Sequence, residues 1–177
     1  MQIVKVFSLV FGLLFVAIPA RSEVVWDGNH IAAGEDISQA SGMFLLALSD
    51  YMSALRVAEL RGPVEEYYQA FVSELEESIS LFESIQEDYA GEEFDLDMNS
   101  EYIAILEDNG VEVPVTVGEL AGIAIDEIGQ ILSVAGDVNF TATEEVDNVM
   151  LIMLHDHIFR ALNVGTAVAG IVSTPKK

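Results

Sequence analysis

The sequence predicts an all-α protein, an antiparallel bundle of four main helices with a fifth, short helix in a crossover connection. Three observations carry this. Apolar residues recur at helical spacing over four long stretches. Start and stop signals separate those stretches, at Gly62-Pro63, Gly91, Thr116, Gly136 and Ser173-Thr174-Pro175. The last stretch, Thr141 to Val172, contains no proline and is apolar almost all the way round. That pattern belongs to a helix buried among others, so this stretch is expected to be the central helix.

The elements follow in order. Met1 to Ser22 reads as an export signal: Lys5 supplies a positive start, Val6 to Ile18 an apolar core, and Ala20-Arg21-Ser22 small residues, Ala20 and Ser22, at the two positions the peptidase reads. Cleavage is expected after Ser22, with Ala20 the second choice. The apolar run falls short of the roughly 18 residues that a spanning helix needs. The mature domain is expected to be 23–177. Residues 23–34 read as an arm in which Trp26 packs on the bundle.

The first helix is expected from Glu35 to Arg61, with Ile37, Phe44, Leu48, Tyr51 and Leu55 on one face. Gly62-Pro63 ends it and begins the second, since glycine suits the residue after a helix and proline the first helical position. So short a break forces the two antiparallel. The second helix runs from Pro63 to about Tyr89. Its stripe is Val64, Tyr68, Phe71, Leu75, Ile79, Phe82 and Tyr89, opposite a glutamate-rich face.

Residues 92–116 are the irregular crossover, with a short helix from about Ser100 to Asp108 stopped by Asn109-Gly110. The fourth helix starts at Thr116 with a capping box to Glu119 and runs to about Ala135. Gly118, Gly122 and Gly129 weaken it, each by up to about 1 kcal/mol against alanine. Close packing against Gly165, Thr166, Ala169 and Gly170 of the final helix is expected to offset that. The final helix has its own capping box at Thr141 and Glu144.

Charge excludes several partners. The chain has 7 Lys+Arg against 30 Asp+Glu, a net charge of −23. Loss of Lys5 and Arg21 with the signal would leave −25, since no acid leaves with them. Nucleic acid and anionic lipid surfaces need clustered Lys/Arg, so neither is an expected partner. The acids are spread along the chain, which reads as a solvated surface or as adaptation to salty surroundings. Cysteine is absent. That removes disulfides, thiolate metal sites, Fe–S clusters and cysteine nucleophiles together.

The reactive-looking group is His155-Asp156-His157. Histidines at i, i+2 point to nearly opposite sides of a helix and cannot share a metal as an i, i+4 pair does. Steps of about 100° place His157 with Val146, Met150, Met153, Ala161, Val164 and Val168, and His155 with Asn148 and Thr166. His157 is therefore expected buried and His155 exposed. The first reading of His157 is a neutral core histidine, hydrogen-bonded to another helix. The alternative makes it a cofactor ligand, holding a non-covalent haem with Met43 or Met52 of the first helix. In architecture and export, though in no sequence motif, such a protein resembles the periplasmic haem-binding four-helix bundles. A di-metal carboxylate site would need Glu three residues before each histidine, and those positions are Ile152 and Leu154.

Asp95-x-Asp97-x-Asn99 matches the first half of an EF-hand calcium loop. The match stops at Ser100, where the loop needs glycine, and at Leu106, where it needs a bidentate glutamate. A weak irregular calcium site, or a solvated acidic turn, is what remains. Asn139-Phe140-Thr141 fits a glycosylation sequon, relevant only to a eukaryotic secretory route. No G-x-S-x-G and no glycine-rich phosphate loop occurs, so no catalytic residue is assigned.

The expected function is that of an exported, periplasmic or secreted, non-enzymatic binding or interaction module. No cofactor is predicted for it. Its partner would be a protein or a second copy, and no membrane span remains after the signal is removed. The alternative is a cofactor or metal protein, with haem or a metal at His157.

Overall fold

A computed structural model describes residues 28–60, 62–138 and 148–174. Within them the chain forms five helices: α1 (Gly28–Glu59), α2 (Glu65–Asp88), α3 (Ser100–Asp108), α4 (Val117–Ala135) and α5 (Asn148–Val172). The only β pairing among the described residues is an isolated bridge between Glu93 and Thr116. The export signal, Trp26, the sequon and the Thr141–Glu144 capping box lie outside the described residues.

The helices close into a four-membered ring. α1 packs on α2, α2 on α4, α4 on α5, and α5 on α1. Hydrogen bonds give the directions. His30 near the start of α1 lies 2.9 Å from the Thr174 carbonyl at the end of α5. A carbonyl can only accept, so His30 Nε2 carries the hydrogen. The Gly118 N–H at the start of α4 bonds to Tyr89 O at the end of α2. Tyr68 OH, early in α2, bonds to Ala135 O at the end of α4. Successive main helices therefore run antiparallel, as the sequence predicts.

α1 begins at Gly28, earlier than the expected Glu35. His30 and Ala33 continue the buried line Ile37, Ala40, Phe44, Ala47, Tyr51 by two more turns at helical spacing. Glycine at 28 and 34 weakens those turns, but docking on the end of α5 holds them. Tertiary contact overrides propensity here.

The amphipathic reading of α2 holds. Val64, Phe71, Leu75 and Phe82 of the expected stripe are buried, and Tyr68, Ile79 and Tyr89 pack partly against the core. Ser78 sits within this face and is fully buried, which its hydroxyl tolerates by donating to Ala40 O of α1. α3 ends where Asn109-Gly110 predicts. Gly110 takes φ 72°, Gly110 N–H bonds to Glu107 O, and Val111 N–H to Leu106 O. This is a Schellman stop, which needs a left-handed residue. The capping box of α4 is present: Thr116 Oγ1 accepts from Glu119 N–H, and Glu119 Oε2 accepts from Thr116 N–H.

The helix glycines act differently from expectation. Gly118 and Gly122 of α4 do bring a neighbour close, but the neighbour is α2. A Cβ on Gly118 would lie 2.8 Å from Ala90 Cα and 2.9 Å from Gln86 O, and one on Gly122 would meet the Gln86 side chain. Gly129 and Gly165 have no neighbour within 4 Å of an added Cβ. Gly170 takes the ring of Tyr102 from α3. Gly118→Ala should therefore cost about 1–3 kcal/mol, because the obstacle is backbone. Gly165→Ala should stabilise by up to about 1 kcal/mol through helix propensity alone. Urea unfolding of the two variants measures both signs.

α5 is less enclosed than its composition suggests. Val149, Ile152, Met153 and Phe159 are exposed. Its C-terminal half is buried on a wider arc, through Val164, Ala167, Val168, Ile171 and Val172. The difference is α3, which packs on α5 with Tyr102 over Gly170. Among the described residues nothing covers Ile152 and Met153 in the first turns of α5 in that way.

Candidate functional site

Between these helices lies a partly open cavity of about 230 Å³. Its origin is legible in the residues. α5 presents Ala161, Gly165 and Ala169 along one line, at i, i+4 and i+8, and these side chains are too small to fill the space in front of them. The small residues of α5 thus leave room at this level. Phe44 and Leu45 of α1, Phe82 of α2 and Ile128 of α4 close the other sides, and Tyr102 of α3 lines it as well.

Among the described residues one charged side chain lines the cavity, Glu127 of α4. It is 3% exposed. A carboxylate taken out of water needs a partner, since unpaired burial costs several kcal/mol. The partner is Arg160 of α5, whose Nε lies 2.9 Å from Oε1 and 2.8 Å from Oε2. Arg160 is itself 39% exposed and does not line the cavity. The guanidinium thus reaches Glu127 from the solvent side. The arrangement can bind and orient an apolar molecule.

Sequence reasoning missed Glu127, although a signal was present. Leu120, Ala121, Ala124, Ile128 and Ile131 are the buried line of α4, and Glu127 falls on it at helical spacing. An acid on an apolar stripe marks a paired or functional group, and one of the chain's seven basic residues completes it.

The histidines are placed otherwise than expected. His155 is half-buried, with its ring edge-on to Tyr51 of α1 at 5.7 Å between centroids and 78° between planes. His157 is also half-buried, not enclosed in the core. The buried line at this level of α5 is Leu154, Ile158 and Ala161, in place of the expected Met153, His157 and Ala161. Met153 is exposed. Met43 and Met52 are each half-buried on α1. Nine steps of about 100° put them on opposite sides of that helix, so at most one could face α5.

Burial lowers the pKa of His155, and Asp156 partly offsets this. Burial also pushes the Tyr51 hydroxyl up, so it stays protonated and neutral beside the ring. A depressed histidine pKa means that the unfolded chain binds the proton more readily. His155 therefore contributes stability above its unfolded value, about 6.5, and loses it as pH falls through the lower folded value. Thermal melts of wild type and His155→Phe should show the wild type losing ground to the variant between pH 7 and pH 5. A pH-independent difference would mean that the ring titrates as in water.

The acidic turn is occupied with its own structure. Asp95 Oδ1 accepts from Met98 N–H, and Asn99 Nδ2 donates to the Asp95 carbonyl. Asn99 is buried and Asp97 exposed. Among the described residues no group of three or more His, Cys, Asp or Glu is placed to hold a metal ion. Likewise, among those residues no helix is long and apolar enough to cross a membrane.

Comparison with protein-family models finds no match for this chain, and comparison with curated proteins and with solved structures finds none either.

Proposed function

We propose that the protein is an exported, non-enzymatic binding module whose ligand sits in the α1–α2–α4–α5 cavity with an apolar body. Export is supported by Lys5, the apolar run Val6 to Ile18 and the small residues before Glu23. The observation that carries the binding reading is the cavity itself. An apolar cavity of about 150 Å³ is enough to hold benzene. At about 230 Å³ this one is half as large again. It therefore suits a molecule of about nine heavy atoms.

The test is calorimetric titration with 1-octanol, a neutral probe of that size. Saturable binding is expected. Removing two CH₂ groups, as in 1-hexanol, should weaken it about tenfold, since each buried CH₂ contributes about 0.8 kcal/mol. Gly165→Leu, which fills the space in front of α5, should abolish it. Equal binding by this variant would place the alcohol elsewhere and remove the reading.

A further inference from the structure

We infer that the ligand of this cavity is a cationic amphiphile, a protonated amine carried on an apolar body. The inference rests on the binding reading above and names the class of molecule. Three features point the same way. First, among the described residues the charged side chain in the cavity wall is Glu127. Arg160 donates to it through Nε alone, one N–H shared between both oxygens. A carboxylate has about four lone-pair sites, so capacity remains on a side chain that faces the cavity. Arg160 approaches from solvent and does not line the space, so the carboxylate is the nearer charge to any ligand.

Second, the wall carries aromatic faces, Phe44, Phe82 and Tyr102. Aromatic rings attract a cation over their faces and also pack against an alkyl chain. Third, the whole molecule carries a net charge of −23. Such a field raises the encounter rate of cations and repels anions. An apolar carboxylate of the same size would meet repulsion from the surface and from Glu127.

The probes are octylammonium, 1-octanol and octanoate, which share an eight-carbon skeleton and differ in the head group. They are titrated into the purified protein at about 0.5 M salt, where surface attraction is screened to about 4–5 Å. Octylammonium should bind at least about tenfold tighter than 1-octanol, and octanoate more weakly than either. Glu127→Gln, which keeps the shape of the side chain, should bring amine and alcohol to similar affinity. Gly165→Leu should remove amine binding, which surface adsorption would not do. If alcohol and amine bind alike, or octanoate binds best, the amine class is wrong while the cavity reading stands. If none of the three binds, both fail. Amine binding unchanged in Glu127→Gln would also overturn the proposal, because the selectivity would not come from this carboxylate.

Discussion

Arg160→Ala should lower stability by about 2–3 kcal/mol, the largest effect expected from any surface-reachable side chain. Breaking a buried ion pair by deleting one partner leaves the other charge uncompensated, at a typical cost of about 3–5 kcal/mol. A value at or just below the foot of that range applies because Arg160 is 39% exposed, whereas its partner is almost wholly buried. The loss falls on Glu127, which keeps its place in an apolar wall without its hydrogen bonds. Glu127→Leu in the Arg160→Ala background should recover most of the stability, since an apolar side chain of similar size suits that wall. Denaturant unfolding of the two singles and the double closes the cycle. A loss below about 0.5 kcal/mol for Arg160→Ala would show that Glu127 finds water, and that the cavity is wetter than its lining implies.

Phe71→Ala should cost about 3–5 kcal/mol, the range for emptying a well-packed aromatic site. Phe71 is fully buried on α2. Its ring lies 5.2 Å from that of Tyr51 and 6.3 Å from that of Tyr68, both tilted. Such pairs add about 0.5–1.5 kcal/mol beyond area. The ring therefore ties α2 to α1 and steadies the tyrosine against which His155 rests. Calorimetric melting would show a drop of several degrees or more for a domain of this length. His157→Ala, on a half-buried residue, should fall well below that. A core histidine would have cost about 2–4 kcal/mol. An effect on His157 as large as on Phe71 would restore the buried-histidine reading and contradict the observed face of α5.

Much of the fold is legible because its signals are local. Thr116 and Glu119 satisfy each other's backbone N–H groups within one turn, so the start of α4 follows from four consecutive residues. Asn109-Gly110 stops α3 for a reason internal to the chain, a left-handed residue closing two carbonyls. The stripe of α2 names its buried side chains because its opposite face is charged and leaves no choice. The start of α1 is different. Gly28 to Gly34 is a poor helix by itself, and docking on the end of α5 supports it, with His30 on Thr174 O and Ala33 buried.

The candidate site shows the same division. Composition alone determines that any partner meets an acidic surface and that no thiol chemistry is available. Periodicity alone places Glu127 on the buried line of α4. Neither says what lies opposite. A helix with apolar residues on every side, such as α5, has no polar face to fix its rotation, so the histidine to be covered was set by its neighbours. α3 encloses the C-terminal half, Tyr51 takes His155, and Met153 is left in water. The small residues of α4 and α5 were equally ambiguous. A glycine lets a backbone approach or leaves a space, and the sequence is identical in both cases. Gly118 met α2, and Gly165 met nothing. The cavity and the pairing of Glu127 with Arg160 arise from that outcome. Close approach depends on which helix is adjacent and at what height, and those are properties of the assembled bundle.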